Sequence, residues 1–377
     1  MSKSLRRVLS LSVKEFIHLR SDWWLPAFML LGGALELLLV GWATSRPISN
    51  LPMMVYDQDR SAASRQFVVD VENTETLTLA AMASSQSEIR AAMDRGDINA
   101  AVIIPDGFAR SLQDPSAHPT IVVWLNGAES TPATAAKRAI EGVVSQWGDR
   151  LTIERLGLGP ERLEGFFLSL RVWFNEALSE AFYTTPAELG LMLEFTVLLF
   201  AALSLSRERE LGTLEQLLVM PFSSLEIIIG KSLPVILIGL ADFGLMLSMV
   251  HGVFGVPIRG SILLLAVLAA GYVMVELSKG LVISVIARTQ HQAFLLVMMV
   301  GMADFMFTGY AAPVESMPVV LQWLANLIPA HHWLTILRGI LLKASGISVL
   351  WPNVLALVLL GLLIGSFSLR YVRRALN

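Results

Sequence analysis

Six charged residues lie inside strongly apolar stretches of this 377-residue chain. They are Glu36, Glu194, Asp242, Glu276, Lys279 and Asp304. A charge near the centre of a bilayer costs about 2.5–3.5 kcal/mol on insertion scales, so these side chains must face protein or water. Glu276 and Lys279 share one helical face, which favours a structural ion pair. Glu36, Asp242 and Asp304 have no such local partner, so a proton relay, a cation path, contact with a cationic substrate or a place near the interface stays open for each.

Side chains suited to covalent or metal chemistry are sparse. The chain has no cysteine and six histidines, and no nucleophile lies beside a base in a recognisable pattern. We therefore predict no catalytic residue, which disfavours a membrane-embedded hydrolase. His331 and His332 suggest a metal site together with His251 and Glu315, but adjacent side chains on a helix point to different sides. We predict no metal site.

The composition indicates a protein whose solvent is the bilayer. Hydrophobic residues make up 54% of the chain and charged residues 16%, with a mean hydropathy of +0.62, whereas soluble proteins carry about 25% charged residues. A transmembrane helix needs about 20 mostly apolar residues. The segments that qualify are residues 25–43, 188–206, 227–250, 262–287, 292–308 and 350–369. We predict an α-helical membrane protein with about six transmembrane helices.

Lysine and arginine residues beside these segments set the orientation, because cytoplasmic loops carry an excess of them. With six spans most of them fall on one side, whereas the short loops of the opposite side hold Arg259, Arg338 and Lys343. The residues on the first side are Lys3, Arg6, Arg7, Lys14, Arg20, Arg207, Arg209, Lys231, Arg288, Arg370, Arg373 and Arg374. Both termini are therefore predicted to be cytoplasmic. The net charge of −3 and the absence of a basic stripe argue against a nucleic-acid partner.

Residues 46–186 separate the first two predicted spans and have the pattern of an extracytoplasmic α/β domain. Short β-like runs at 53–56, 77–81, 100–104 and 121–125 alternate with helical runs at 61–71 and 87–95. Ser87 is the predicted N-cap of the second of these helices, and Gly96 ends it. Residues 131–182 have the pattern of long helices, which predicts a helical stalk for the domain.

A charged and amphipathic segment, residues 207–221, follows the second predicted span on the cytoplasmic side. Its leucines form an apolar face, and Pro221 ends it. Such a helix can lie across the membrane surface. On physical grounds alone, an interfacial helix that only turns the chain is an equal alternative to a docking element.

The sequence resembles type-2 ATP-binding-cassette (ABC) exporter permeases along essentially its whole length. The run RERELGTLEQLLVMPFSSLEIIIGKSLP at 207–234 is similar to the segment with which that family docks on a nucleotide-binding subunit. VYDQDRSAASRQF at 55–67 and INAAVIIPDGFARSL at 98–112 resemble the family's outer domain. The segment 308–342, TGYAAPVESMPVVLQWLANLIPAHHWLTILRGILL, is similar to its re-entrant region before the last span.

The resemblance implies a division of the chain into four parts. It gives a cytoplasmic amphipathic N-terminal helix at 1–24, a first span at 25–45, the extracytoplasmic domain at 46–186, and spans two to six within 187–377. The last part would include a cytoplasmic coupling helix at 207–221 and a re-entrant segment at 310–345. Coupling to the ATPase would fall on five residues: Glu208, Glu210, Gly212, Thr213 and Glu215.

The same resemblance implies partners and a location. ATP and Mg²⁺ would bind to a separate ABC ATPase subunit, and the permease would pair as a homodimer or with a similar permease in the lipid of the bacterial inner membrane. A periplasmic adaptor protein is a further partner that the family allows. We predict no cofactor on this chain, because Gly230-Lys231-Ser232 resembles the end of a phosphate-binding loop but Leu225 occupies the position of its first glycine.

The implied function is efflux of a small amphipathic or hydrophobic substrate, drugs included. The six charged residues of the spans would be substrate-path candidates. A membrane receptor or scaffold that senses a ligand through its extracytoplasmic domain is the alternative, although the short termini leave little room for a signalling domain.

Overall fold

The computed structural model describes residues 3–21, 23–45, 48–114, 117–128, 130–155, 179–310 and 313–376. The chain forms two compact units, one from Met1–Arg46 with Val172–Asn377 and one from Pro47–Arg171. Helices α1 (Lys3–Ser21) and α2 (Trp24–Ser45) belong to the larger unit and precede the smaller one in the chain.

The smaller unit is an α/β fold, as the sequence predicts. Its elements in chain order are β1 (Leu51–Asp57), α3 (Ala62–Glu72), β2 (Leu77–Met82), α4 (Gln86–Arg95), β3 (Ala100–Ile104), α5 (Phe108–Gln113), β4 (Val122–Leu125) and α6 (Ser130–Arg155). The sheet order is β2-β1-β3-β4, with β4 antiparallel to β3 and the other pairs parallel. Every residue of β3 is buried, which explains its continuous apolar run.

The ends of helix α4 are fixed by a cap and a glycine. Ser85 accepts a hydrogen bond from the amide of Glu88, so Ser85 is the N-cap and the prediction of Ser87 is wrong. Both serines suit the position, but only Ser85 has the extended backbone that an N-cap needs. Gly96 ends the helix with φ of +78°, as predicted. Helix α6 is the described part of the predicted stalk, and residues 156–178 lie outside the described residues.

The two outer-domain motifs of the sequence meet at one carboxylate. Asp59, in the first motif, accepts hydrogen bonds from the amides of Gly107 (3.0 Å) and Ala109 (3.1 Å), in the second. The Ser61 hydroxyl and these amides lower the pKa of Asp59. Both motifs therefore have a structural explanation, since Asp59 holds the start of α5 against the end of β1.

The larger unit continues with eight helices in the described part of the chain. They are α7 (Ala181–Glu210), α8 (Leu214–Val219), α9 (Ser224–Gly252), α10 (Ile262–Ile286), α11 (Gln290–Phe307), α12 (Val319–Ala325), α13 (Pro329–Lys343) and α14 (Ile347–Leu376). Five helices among the described residues are long and apolar enough to cross a membrane. These are α2, α7, α9, α10 and α14. The prediction of an α-helical membrane protein is confirmed.

The fifth predicted span, residues 292–308, differs from the others. It forms α11, which has 18 residues and begins with three polar ones, Gln290, His291 and Gln292. At about 1.5 Å per residue such a helix falls short of about 30 Å of hydrocarbon. Helix α11 therefore does not reach the length and apolarity of the other five.

Helix α7 is the centre of the larger unit and packs against α2, α9, α10, α11 and α13. In its most apolar stretch 78% of residues are buried, compared with 11% in α14. Small residues permit the close approach of α10: a Cβ at Gly280 would lie 2.5 Å from Cβ of Ala201 and 2.7 Å from the Leu198 carbonyl oxygen. The position of α10 therefore depends on a glycine at 280.

Prolines mark the starts of the two helices in the segment 310–345. Pro318 precedes α12 as its N-cap residue, and Pro329 begins α13, where its missing amide proton costs nothing. The described part of the segment consists of a short 3-10 turn and these two helices. Its re-entrant course through a membrane stays a prediction.

Candidate functional site

Lys231 joins three helices at the end of α7. Its side chain is only 1% exposed, and its ammonium group lies 2.6 Å from Glu15 on α1 and 3.1 Å from Glu208 on α7. It also donates to the Ser204 carbonyl at 3.0 Å. Lys14 of α1 lies 2.9 Å from the same Glu208 oxygen. We call Lys14, Glu15, Glu208 and Lys231 the charge node. Two positive and two negative side chains balance here, as burial of charge requires.

The predicted coupling helix at 207–221 is two helices rather than one. Helix α7 continues to Glu210, the chain turns at Gly212 with φ of +69°, and α8 begins at Leu214. A glycine takes this left-handed conformation at little cost, so it ends α7. Glu208 and Glu210 therefore lie on the transmembrane helix, and Glu215 is the one predicted coupling residue that lies on α8.

The turn into α8 is tied to the charge node. The Thr213 hydroxyl donates to the Glu208 carboxylate, and the Thr213 amide donates to the Glu208 carbonyl at 2.9 Å. Glu208 is 4% exposed, so its side chain is directed into the protein. It fixes the start of α8 against α7 and α9.

Two neighbours of Glu208 connect α7 to the next pair of helices. Arg209 donates to the carbonyls of Val285 (2.9 Å) and Ala287 (2.7 Å) at the end of α10. Glu210 accepts the amide of Gln290 at 2.7 Å, at the start of α11. A cation at a helix C-terminus and an anion at an N-terminus both complement the helix dipole.

Helix α8 presents a mixed surface. Glu215 is exposed, and no ion pair of its side chain is present among the described residues. Val219 and Met220 are 86% and 51% exposed. The capping box of Ser223 and Glu226 then starts α9 at once. This surface is therefore held by short connections on both sides, and the capping box fixes the one to α9.

Lys279 is the centre of a second buried group of charges. Its ammonium group lies 2.7 Å from Glu276, 2.6 Å from Asp304 of α11 and 3.2 Å from Glu194 of α7. Tyr272 donates to Glu194 at 3.2 Å. The predicted Glu276–Lys279 ion pair is present. Asp304 has no partner on its own helix, as the sequence predicts, but Lys279 reaches it from α10.

A groove of about 700 Å³ lies between α2, α7 and α11. Four phenylalanine and four methionine side chains contribute to its wall. The polar lining consists of Glu36 on α2, Glu188 and Thr196 on α7, and Tyr310 after α11. This concave, mostly apolar shape with a few polar groups is typical of small-molecule sites. We refer to it below as the groove.

The substrate-path candidates therefore fall into three places. Glu36 lines the groove, and Asp242 is buried on α9 outside both the groove and the Lys279 group. Glu194, Glu276, Lys279 and Asp304 form the Lys279 group. Of the two adjacent histidines, His332 has a structural role. Its ring nitrogens lie at hydrogen-bond distance from the Asn353 side chain (3.0 Å) and the Asn326 carbonyl oxygen (2.9 Å).

Comparison with known proteins shows the family. The model of the family described as "ABC-2 family transporter protein" matches residues 23–370. The chain belongs to the ABC-2 transporter family. This permease is similar to the probable multidrug ABC transporter permease YbhR of Escherichia coli K12, at 27% identity over 368 residues and 98% of each chain.

Two further relatives from Escherichia coli K12 match at similar levels. The probable multidrug ABC transporter permease YbhS is 28% identical over 362 residues, which cover 94% of this permease and 93% of the relative. The inner membrane transport permease YhhJ is 28% identical over 360 residues, 95% of each chain.

As an ABC-2 permease, the chain is the transport subunit of an ABC exporter, and ATP hydrolysis resides in a separate ATPase subunit. This decides against the receptor or scaffold alternative. The sequence alone did not indicate that Lys231 lies in the charge node or that Glu188 lines the groove. Both are charged residues within predicted apolar segments, which is the feature that could have marked them as buried charges.

Proposed function

We propose that this ABC-2 permease exports small amphipathic or hydrophobic compounds, drugs among them, through the groove between α2, α7 and α11. The groove carries the proposal, because its volume of about 700 Å³ and apolar wall suit drug-sized molecules. Two of the similar permeases are described as probable multidrug transporters. ATP and Mg²⁺ would bind only to the partner subunit.

Helix α8 is the proposed contact with that ATPase. Glu215, Val219 and Met220 form the exposed surface, and Thr213 and Glu208 fasten it to α7. Arg209 and Glu210 extend the connection to α10 and α11. Since α7 and α11 both line the groove, a rigid displacement of α8 would reach two of its walls.

A second permease would complete the path. The groove is open on one side, and α2 and α11 expose large apolar side chains such as Leu31 (68%) and Met299 (63%). We propose a homodimer or a pair with a similar permease in the bacterial inner membrane, with both termini cytoplasmic and the α/β unit outside. The segment 310–345 would re-enter the membrane, and the outer unit could meet a periplasmic adaptor.

A leucine at Gly32 tests the groove. Gly32 lines it, and a Cβ there would meet no atom within 4 Å, so Gly32→Leu adds an apolar side chain at the wall of the groove with room for its first atom. In proteoliposomes that contain the permease and its ATPase, we expect ATP-driven transport of a neutral amphipathic dye to fall about tenfold or more, a loss of transition-state stabilisation of about 1.4 kcal/mol or more.

Gly244→Leu is the matched control, because Gly244 is an exposed glycine of α9 with no atom within 4 Å of its Cβ position. This variant should transport at the unchanged rate, and both variants should retain the ATPase. Unchanged transport by Gly32→Leu would refute the groove as the path.

A further inference from the structure

The described lining of the groove contains two carboxylates and no basic side chain. Glu36 comes from α2 and Glu188 from α7, and lysine, arginine and histidine are absent from the described lining. Neither carboxylate has an ion pair among the described residues, unlike Glu194, Glu208 and Asp304. The two acids also repel each other. The groove is therefore a region of negative potential in apolar surroundings.

The neighbours of Glu188 do not neutralise it. Glu188 is 4% exposed, and its hydrogen-bond partner is the neutral Tyr310 hydroxyl. Arg338, on the neighbouring helix α13, lies over the Tyr183 ring at 3.7 Å and donates to the carbonyls of Tyr183 and Gly309. A buried carboxylate without a cation is costly. The site therefore favours a ligand that supplies a positive charge.

The rest of the wall suits a lipophilic cation. Phe28 and Phe305 present aromatic rings and Met298 a polarisable sulfur, in the same groove as both carboxylates. Aromatic faces attract cations, most strongly where water is excluded. Methionine adapts to ligands of different shape. A strongly hydrated metal ion would gain little from such a wall, whereas an organic cation would gain from the rings and the carboxylates together.

We infer that the groove selects amphipathic organic cations over neutral and anionic molecules of the same size, with Glu188 and Glu36 as the charge-selecting residues. The inference rests on the proposed function, in which the groove is the path, and it names the substrate class of that site. Glu188 is the stronger determinant, because it is the more buried of the two.

Tetraphenylphosphonium and tetraphenylborate test this inference, since the two ions have the same shape and opposite charge. Saturable binding of each is measured to the full-length permease with its ATPase in lipid nanodiscs, with empty nanodiscs subtracted. We expect saturable binding of the phosphonium only, weakened about tenfold by Glu188→Gln and less by Glu36→Gln, as for loss of one partly buried charge pair. Glu315→Gln, which removes an exposed carboxylate outside the groove, should have no effect.

Each outcome decides one of the two proposals. Equal binding of both ions by the wild type would overturn the charge selectivity, and this comparison does not depend on the folding of any variant. An unchanged preference for the phosphonium in Glu188→Gln would overturn the role of Glu188 in that selectivity. If Gly32→Leu blocks export of a neutral dye while the cation is not preferred, the path is right and the selectivity wrong. If the phosphonium binds but ATP drives no transport, the proposed function is wrong.

Discussion

Lys231 and Lys279 neutralise most of the buried carboxylates that form ion pairs in the larger unit. Lys231 contacts Glu15 and Glu208, and Lys279 contacts three carboxylates within 3.2 Å. Removing one partner of a buried ion pair leaves an uncompensated charge, which costs far more than the intact pair contributes. Replacing either lysine should therefore lower the stability of the permease, whatever compound it transports.

Lys231→Met tests this at the charge node. It strands Glu15, whose shortest contact is to Lys231, while Glu208 keeps Lys14. We expect the free energy of unfolding to fall by about 3 kcal/mol, at the lower end of the range for a broken buried pair. Denaturant unfolding of the detergent-solubilised protein, followed by tryptophan fluorescence, measures it.

Lys14→Met is the control, because the Lys14 side chain is 39% exposed and its pair should contribute under about 1 kcal/mol. Adding Glu15→Gln to Lys231→Met should restore part of the loss, since it removes the stranded charge. Equal destabilisation by both lysine variants would show that burial of Lys231 does not matter.

Within the larger unit, the sequence indicated the ion pair that lies on one helix but none of the pairs between helices. Glu276 and Lys279 are visible as a pair because a helix fixes their spacing. Glu194, Asp304, Glu15 and Glu208 meet their lysines only through packing of α1, α7, α9, α10 and α11, which the spacing does not contain. The groove has the same origin, because Glu36 and Glu188 belong to different helices.

At the scale of elements, local signals explain most starts and ends. The local sequence indicates several of these boundaries or elements: the buried strand β3, the end of α4 at Gly96, and the starts of α12 after Pro318 and of α13 at Pro329. The exception is the coupling segment, where the leucine pattern predicted one helix and Gly212 divides it. The glycine signal was present in the sequence, but an amphipathic period continued across it and decided the prediction.

The close packing of α7 and α10 gives a prediction at this scale. Gly280→Ala places a Cβ within 3 Å of both the Ala201 side chain and the Leu198 carbonyl oxygen, so the helices must separate. We expect a destabilisation of about 1–3 kcal/mol, as for other overpacked sites. Thermal unfolding of the purified protein measures it.

Gly271→Ala is the matched control on the same helix. A Cβ at Gly271 would meet no atom within 4 Å, and alanine is the better helix former. This variant should be neutral or slightly more stable. If both alanines changed the stability equally, the α7–α10 contact would not be the cause of the effect at Gly280.

At the scale of the whole molecule, the larger unit combines a buried centre with exposed edges. Helix α7 is enclosed by its neighbours, whereas α2 and α14 are mostly exposed, with 22% and 11% of their apolar stretches buried. Exposed apolar helices need lipid or another protein chain around them. This agrees with a subunit that functions only in the membrane and with partners.

We propose that α8 connects ATP hydrolysis in a partner subunit to the groove. The most direct test of this connection is purification of the tagged permease from its native membrane in mild detergent, reconstitution into proteoliposomes, and measurement of dye transport with and without Mg-ATP. Glu215→Arg reverses the exposed charge of α8, and Glu315→Gln changes an exposed carboxylate elsewhere.

We predict that the wild type and Glu315→Gln retain an ATPase and move the dye only with ATP. Glu215→Arg should insert normally but lose the ATPase or its transport by about tenfold or more, since reversal of one interface charge commonly costs more than 1.4 kcal/mol. A wild-type preparation that binds no ATPase, or a Glu215→Arg variant that transports at the full rate, would contradict the proposed connection through α8.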